Sequence, residues 1–373
     1  MDIIKKTVLV DLIETEKALK EVVEHLKTLK EFSIDTEFDR FRYQYGIHLQ
    51  LIQIFDGATC YLVDSLKIKN LSILWTVFED ENICKIIYSG SEDIDILKKV
   101  GCVTRNLFDI QIAAALCNRA ETSYSKLVAA EFGVEIDKKL QTSRWNTRPL
   151  SPSQLEYASN DVIFLPELKS ILLKEVKDEQ LLLILKEENL SLELSTTEEY
   201  APKLTGKQKK EFNRYAQQKL LEMKQLIDTY AQQLNVPPYF IVPDFILEEI
   251  VRNKNQFLKF PFSKNFNKNV LSDEEFKNKV LEIIQGIDEE KVNEVSLRER
   301  TEKDETSSNH ARKVNLADTV FPKFKQFVID KYGEVSSVVL LRGISKMFSL
   351  EVVDWDGAKQ FQKDLYAEFL AKS

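Results

Sequence analysis

The sequence predicts an α/β fold, with a mixed β-sheet flanked by helices and followed by one or two small all-α domains. Three observations lead to this prediction. Short strands alternate with helices over residues 7–100, helical patterns replace them from Phe108 onward, and every element predicted after Lys207 is a helix. Ligands of such a sheet bind where its strands end.

The first part of the chain alternates strands with helices. In order, the predicted elements are strand Thr7–Val10, helix Glu14–Lys30, strands Phe32–Phe38, Ile47–Phe55 and Thr59–Val63, helix Leu71–Glu79, strand Ile83–Tyr88 and helix Glu92–Val100. Asp56-Gly57 is a strong hairpin signal between two of these strands. The order predicts an antiparallel meander to which later strands are added in the βαβ manner.

Predicted helices fill the rest of the chain. They cover 109–117, 123–132, a segment from 151, 179–187, 207–233, 244–251, 272–285, 321–332, 336–348 and 355–371. The domains that follow are a first domain 1–190, a linker 191–205, a helical domain 206–290, a flexible charged linker 291–313 and a helical C-terminal domain 314–373. Both linkers have the polar, charge-rich composition of mobile segments.

The composition bounds the class of protein. Its 43% apolar and 30% charged side chains are typical of a globular chain. The apolar run before Asp11 is too short for a signal peptide or membrane helix, so we expect a cytoplasmic protein without membrane contact. Four scattered cysteines and three histidines argue against a zinc site, and any metal should be a hard cation held by oxygen. No motif indicates an obligate protein partner.

The charge is unevenly distributed along the chain. Residues 1–200 hold 24 basic and 34 acidic side chains, whereas residues 201–300 hold 17 and 15. Within residues 251–272 there is no acid, and phenylalanines interleave with the candidate nucleic-acid-binding cations Arg252, Lys254, Lys259, Lys264 and Lys268. Such a segment can contact phosphates and stack bases. A core of phenylalanines with a solvated rim of lysines gives the same pattern.

The strand Phe32–Phe38 carries two acids. Alternate side chains of a strand share a face, so Asp35 and Glu37 point the same way. Two carboxylates on one face repel each other unless a cation lies between them. An edge strand whose acids face water is the other interpretation.

Two further segments supply carboxylates at helix positions. Asp93 lies in the first turn of a helix for which Ser91 is a suitable N-cap, and a carboxylate is favoured there by the helix dipole alone. The capping box that begins at Ser151 predicts a helix start, and a spacing of four places Tyr157 and Asp161 on one face of that helix. Each segment taken alone is also ordinary for a solvated helix.

Taken together, the acids Asp35, Glu37, Asp93 and Asp161, with Tyr157, resemble the tyrosine-bearing branch of the DEDD superfamily of 3'→5' exonucleases. The sequence resembles the ribonuclease D family in particular in the stretches Leu51–Gly57, Ser89–Asp93, Phe108–Gln111, Trp145 and Arg148–Leu150. The resemblance implies a ribonuclease H-like sheet over residues 5–190. Residues 206–290 resemble, more weakly, the helical HRDC domain of that family, and the last segment resembles a degenerate second copy.

The resemblance implies a metal-dependent hydrolysis of RNA from its 3' end to nucleoside 5'-monophosphates. Two divalent cations, Mg²⁺ or Mn²⁺, would be held by the four acids, and Tyr157 would orient the attacking water. The implied substrate is precursor tRNA or other structured RNA, and Gln53 is a candidate contact to the terminal nucleotide. A buried glutamine bonded to the backbone is the alternative for Gln53.

Two other functions fit the same residues. One is a 3'→5' exonuclease acting on single-stranded DNA, of the Werner or proofreading type, and the other is a catalytically silent nucleic-acid-binding scaffold. The chain also departs from the family pattern at Tyr88, where a histidine is common, and at Arg144, where an acid usually precedes the tryptophan. Neither position is an implied metal ligand.

Overall fold

A computed structural model describes residues 8–176, 178–195, 200–253, 273–293, 316–348 and 353–372. The chain folds into two compact units. The first comprises residues 1–38, 49–197 and 312–373, and the second comprises residues 39–48 and 198–311. The described part of the chain contains no helix long and apolar enough to cross a membrane.

The first unit is built on a six-stranded mixed sheet. Its strands are β1 (Leu9–Ile13), β2 (Glu31–Arg40), β3 (Ile47–Phe55), β4 (Thr59–Val63), β5 (Cys84–Ile87) and β6 (Leu107–Asp109). They lie in the order β1-β4-β3-β2-β5-β6 within the described residues. Strands β3 and β4 pair antiparallel, whereas β1–β4, β2–β5 and β5–β6 pair parallel. Strand β2, which carries the acid pair, is therefore central.

Helices cover the sheet and fill the rest of the first unit. They are α1 (Glu16–Leu26), α2 (Ser72–Phe78), α3 (Ser91–Lys99), α4 (Ile110–Leu116), α5 (Tyr124–Phe132), α6 (Pro152–Asn160), α7 (Leu165–Glu175) and α8 (Glu179–Leu194). The C-terminal segment adds α15 (Leu316–Thr319), α16 (Phe321–Tyr332), α17 (Glu334–Leu340), a 3-10 turn (Ile344–Met347) and α18 (Gln360–Lys372).

One sheet face packs against α6 through a largely apolar core. Leu51 and Phe55 of β3 and Ile86 of β5 belong to one buried cluster with Ala158 of α6. Because Ile86 is the register partner of Ser33, the Ser33, Asp35 and Glu37 face of β2 is the face that looks toward α6. The predicted alternation of β2 is thereby confirmed.

Helix α8 completes the edge strand β6 with side chains instead of backbone. The Leu107 N–H donates to Glu193 Oε1 (2.8 Å), and the Asp109 N–H donates to Asn189 Oδ1 (3.0 Å). Four residues of a helix and two residues of a strand both span about 6–7 Å, so two side chains four residues apart on α8 can reach two N–H groups two residues apart on β6. The otherwise unpaired N–H groups of the edge strand are therefore satisfied.

The C-terminal helices share their core with the sheet-bearing part of the first unit. The Ser336 hydroxyl of α17 is fully buried and donates to the carbonyl of Ala115 in α4 (2.9 Å). Lys359 pairs with the buried carboxylate of Glu188 in α8. The sequence predicts a separate domain over residues 314–373, whereas in the structure residues 312–373 belong to the first unit.

The second unit is helical. Its elements are α9 (Gly206–Glu211), α10 (Arg214–Leu234), α11 (Pro238–Ile241), α12 (Asp244–Arg252), α13 (Glu274–Gln285) and α14 (Glu289–Asn293). Leu220, Ile246 and Phe276 are buried in its core. The Tyr45 hydroxyl donates to Asp228 Oδ2 (2.9 Å), which ties residues 39–48 to α10. The HRDC-like identity of this region stays a prediction.

Most predicted elements agree with the structure, and several differ in number or extent. Strand β6 is missing from the prediction because three residues are too few to show a period. The predicted helices from 151 and over 207–233 are each two helices. The predicted linker 191–205 begins inside α8, which continues to Leu194. Gly90, not Ser91, is the N-cap of α3, and it makes no side-chain capping bond.

Candidate active site

Three carboxylates converge at the centre of the sheet. The carboxylate oxygens of Asp35, Glu37 and Asp161 lie within 4.8 Å of one another, and this is the one such group of potential metal ligands among the described residues. Asp35 and Glu37 come from β2, whereas Asp161 is the C-cap of α6. Residues from two distant parts of the sequence therefore meet where α6 ends above the strand.

Asp93 faces the same region but is fixed differently. Its Oδ1 accepts the backbone N–H of Thr36 (3.1 Å) and the Thr36 hydroxyl. The side chain is 7% exposed and lies outside the group of three. Because Thr36 stands between Asp35 and Glu37, this bond ties the first turn of α3 directly to the acid-bearing strand.

Burial and mutual repulsion make this cluster electrostatically costly. Burial, followed by repulsion from Asp93, Asp161 and Glu37, raises the pKa of Asp35 well above its usual value. Burial also raises the pKa of Glu37 to about 9, of Asp161 to about 7 and of Asp93 to about 6. Four carboxylates that resist ionisation at one place require either protons or cations.

The chemistry of the donors fits divalent cations. Every candidate ligand in the cluster is a carboxylate oxygen, and neither a histidine nor a cysteine belongs to it among the described residues. Oxygen ligands suit hard cations such as Mg²⁺ and Mn²⁺. A bound cation would remove the repulsion that raises these pKa values, so the residues present fit the metal that the fold implies.

Tyr157 stands beside the acids on α6. The raised pKa of its hydroxyl arises from burial first and then from Asp161, Glu37 and Asp35. The hydroxyl is close enough to the Asp161 carboxylate to interact with it. The ring lies 5.9 Å from that of Trp145, measured between centroids. The tyrosine therefore keeps its proton at neutral pH and can orient a neighbouring group.

The start of α6 is held by local sequence chemistry. Ser151 and Gln154 form the predicted capping box, with Pro152 at the first helical position. The Gln154 amide also donates to Ser143 Oγ (2.9 Å), which fastens the preceding loop to the helix. The register that brings Tyr157 and Asp161 to the site is therefore set at the beginning of the helix.

Arg148 holds the loop that carries Trp145. Its guanidinium forms a bidentate pair with Asp64 (2.5 and 2.9 Å) and also donates to the carbonyls of Trp145 and Gln50. The Asp64 side chain is fully buried. Loss of this pairing would leave a buried carboxylate without a matched partner.

We expect Arg148→Lys to lower the free energy of unfolding by about 2 kcal/mol, because an ammonium cannot make the bidentate pair and the carbonyl bonds together. Urea unfolding measures this loss. Arg119→Lys is the matched control, since Arg119 pairs with Glu131 and Glu175 at a more open position. The control should cost under about 1 kcal/mol. Equal losses would contradict the role of burial.

Two residues near the site have no motif in the sequence. Tyr124 of α5 is buried, its hydroxyl donates to the carbonyl of Asn160, and Asp161 and Asp35 help to raise its pKa. Lys138 is exposed and its charge lowers the pKa of Asp161, although burial of Asp161 outweighs it. Both act through packing of segments that are distant in sequence, and no local pattern could have identified them.

Of the remaining candidate residues, Gln53 and Arg252 lie in the described part of the chain, and the four lysines do not. Gln53 is fully buried on the sheet face that looks toward α6, and its amide has no hydrogen-bond partner, so the backbone-bonded alternative is not what the structure contains. Arg252 pairs with Glu211 (2.9 Å) and lies over the Phe212 ring. The other cations of the basic segment, Lys254, Lys259, Lys264 and Lys268, lie outside the described residues.

Tyr88 and Arg144, the two residues that depart from the family pattern, both make hydrogen bonds in the structure. The Tyr88 hydroxyl donates to the carbonyl of Thr122 (2.8 Å) and accepts from the Gln111 amide (3.2 Å). Its ring packs against Tyr124, 5.5 Å between centroids. The carbonyl of Arg144 accepts from the Gln154 amide. Tyr88 thus supports the tyrosine that holds the end of α6.

Comparison with known proteins agrees with this geometry. Residues 10–177 match the model of a 3'-5' exonuclease family. Among curated proteins, the ribonuclease D of Shewanella sp. is 37% identical over 167 residues, which are 44% of this chain and 43% of the relative. The ribonuclease D of Desulfotalea psychrophila is 33% identical over 248 residues, 64% of this chain and 66% of the relative. The first match thus spans under half of that relative's length.

Two solved structures share the fold. The match to the crystal structure of Escherichia coli RNase D covers 97% of this chain and 98% of the RNase D chain, with a TM-score of 0.63 and 23% identity. The catalytic core of RRP6 from Trypanosoma brucei covers 75% and 80%, with a TM-score of 0.64 and 24% identity. The predicted ribonuclease H-like fold is confirmed. Residues 10–177 of this chain therefore match a 3'-5' exonuclease domain, and the chain is similar to ribonuclease D sequences.

Proposed function

We propose that this protein is a 3'→5' exoribonuclease that releases nucleoside 5'-monophosphates from the 3' end of RNA. The observation that carries the proposal is the convergence of the carboxylate oxygens of Asp35, Glu37 and Asp161 within 4.8 Å, with Tyr157 close enough to interact with them. The similarity of 167 residues of the chain to a ribonuclease D sequence supports RNA as the substrate. Precursor tRNA or other structured RNA is the proposed natural substrate, and a cytoplasmic location stays a prediction.

The four acids would hold two divalent cations, Mg²⁺ or Mn²⁺. Asp35, Glu37 and Asp161 would hold them at the place where their oxygens converge, and Asp93 would be a further ligand. Bound there, the cations would lower the pKa of a water molecule and neutralise the charge that develops on the scissile phosphate. In-line attack on phosphorus requires a water held in a fixed direction.

The chain's own residues would supply that direction. Tyr157 keeps its proton at neutral pH, so its hydroxyl can orient the attacking water but cannot serve as the base that deprotonates it. Lys138 is exposed and near enough to Asp161 to affect its charge. A cation at that place can approach the phosphate of an incoming strand and reduce the repulsion between substrate and carboxylates.

The test uses the full chain and two matched oligonucleotides, one RNA and one DNA, labelled at the 5' end. Each is incubated with Mg²⁺, Mn²⁺ or EDTA and resolved on a gel. We expect a ladder that shortens RNA from its 3' end, stops in EDTA and disappears with Asp35→Asn. Asp95→Asn is the matched control, since Asp95 lies on α3 two residues after Asp93 and pairs with Lys99 (2.8 Å).

Different outcomes point to different corrections. If only DNA is shortened, the proposed RNA substrate is wrong, whereas the proposed active site still stands. Binding of both oligonucleotides without shortening would favour the scaffold and make the exonuclease proposal wrong. If Asp35→Asn keeps its activity, the carboxylate cluster is not the catalytic site.

A further inference from the structure

One buried carboxylate outside the acid cluster binds an unusual number of backbone donors. Asp109 ends β6 and is 3% exposed. Its Oδ1 accepts the N–H groups of Ser89 (3.0 Å), Gln111 (2.8 Å) and Ile112 (3.4 Å), and its Oδ2 accepts that of Gly90 (3.0 Å). Capping of α4 accounts for the bonds to Gln111 and Ile112. It does not account for those to Ser89 and Gly90.

The turn that Asp109 binds is the one from which Asp93 projects. Ser89 has a φ of +52°, which non-glycine residues rarely adopt, and Gly90 is the N-cap of α3. A Cβ at Gly90 would lie 2.4 Å from the Ile87 side chain, so the backbone passes very close to β5. The N-cap has no side-chain bond of its own. The conformation of this turn therefore depends on the two bonds that come from Asp109.

Asp109 is itself fixed on the opposite side. Its backbone N–H donates to Asn189 of α8 (3.0 Å), and its strand pairs with β5 through the register Ile87↔Asp109. Its carboxylate thus connects α8, α4 and the first turn of α3. Asp93 lies three residues beyond Gly90, and its carboxylate is bonded to Thr36 between the two acids of β2.

From these contacts we infer that Asp109 is a positioning residue for the metal site, because it fixes the Ser89-Gly90 turn and thereby the place of the Asp93 carboxylate. The inference rests on the proposed function for the role of Asp93. Residues that orient metal ligands commonly change metal affinity about 10- to 100-fold when altered. Asp109 would act through the Ser89-Gly90 turn and Asp93, so the role we assign to it is one of positioning.

The test measures Mn²⁺ binding directly, by the electron paramagnetic resonance of free Mn²⁺ in titrations of the full chain. We expect Asp109→Asn to weaken Mn²⁺ binding about tenfold or more, because an amide replaces one of the two acceptor oxygens. The Mn²⁺ concentration for half-maximal RNA cleavage should rise by the same factor. At saturating Mn²⁺, kcat should recover, and KM for RNA should stay within twofold.

The matched control is Glu188→Gln. Glu188 is equally buried, lies next to Asn189 in α8, and pairs with Lys359 and Arg342 instead of the α3 turn. This variant should lose stability and keep its Mn²⁺ affinity. Equal loss of Mn²⁺ affinity in both variants would indicate that general destabilisation of the fold causes the effect. That result would overturn the inference.

The two proposals fail separately. Unchanged Mn²⁺ affinity in Asp109→Asn would overturn the positioning role while RNA cleavage by the wild type still supports the exonuclease. A wild type that binds Mn²⁺ but leaves RNA intact would overturn the exonuclease, and weakened binding in Asp109→Asn would still support the positioning role. A wild type that binds no Mn²⁺ would overturn both.

Discussion

Asp35→Asn is expected to raise the thermal stability of the metal-free protein at pH 8 while it abolishes RNA hydrolysis. The native carboxylates of the cluster have raised pKa values, so the folded state binds more protons than the unfolded state above about pH 4. Stability therefore falls as the pH rises, up to the value of about 9 for Glu37. Removal of one charge relieves part of that cost.

We expect the free energy of unfolding in EDTA to increase at pH 8, because burial and repulsion raise the pKa of Asp35 and its charge is costly in the folded state. At pH 5 the gain should be smaller, because the pKa values of about 9 for Glu37 and about 7 for Asp161 leave fewer charges in the cluster to repel one another. Melting temperatures in EDTA at both pH values measure the difference. Saturating Mn²⁺ should reverse the order at pH 8, because the variant loses a ligand.

Asp11→Asn is the control for this experiment, because Asp11 is an exposed carboxylate on the edge strand β1. It should leave the melting temperature unchanged at both pH values. A lower melting temperature for Asp35→Asn in EDTA at pH 8 would contradict the electrostatic cost that we assign to the cluster. In the activity assay, Asp35→Asn should lower the rate of RNA cleavage by at least about a thousandfold. This corresponds to a loss of about 4 kcal/mol of transition-state stabilisation.

Ser336→Phe is expected to destabilise the whole first unit, not only its C-terminal helices. Ser336 is fully buried where α17 meets α4, and a phenyl ring cannot fit there without separation of the two helices. Overpacking and the lost hydrogen bond together should cost about 3 kcal/mol. The helix α4 that would be displaced begins directly after Asp109.

Urea unfolding followed by tryptophan fluorescence and by far-UV circular dichroism measures this effect. Both signals should shift together to lower urea concentration, because the C-terminal helices and the sheet share one core. Val338→Phe is the matched control on the same helix, since Val338 is 68% exposed. It should change stability by under about 0.5 kcal/mol. A separate early transition of the C-terminal helices alone would contradict the shared core.

The sequence predicts the parts of the site that depend on local periodicity. The alternation of β2 correctly places Asp35 and Glu37 on one face, and the capping box at Ser151 sets the register of Tyr157. Convergence of these residues with Asp161 follows from the family resemblance, since neither period states which helix meets which strand. The geometry of the cluster agrees with that resemblance.

Other features depend on contacts between distant segments and leave no local pattern. Lys138 and Tyr124 reach the site through loop and helix packing. Strand β6 is three residues long, and its N–H partners lie 80 or more residues later in α8. The docking of α17 on α4 also escapes prediction, because an amphipathic helix specifies an apolar face but not the surface that covers it.

The side chains that α8 extends to β6 also bear on self-association. An open edge strand offers unpaired N–H groups to which a strand of another molecule can add, and such addition leads to aggregation. Here Glu193 and Asn189 already occupy those donors on β6. The opposite edge strand, β1, exposes Leu9, Val10 and the charged Asp11. Intermolecular growth of the sheet is therefore obstructed by bonded side chains at one edge, and pairing of two β1 edges would bring two Asp11 carboxylates close together.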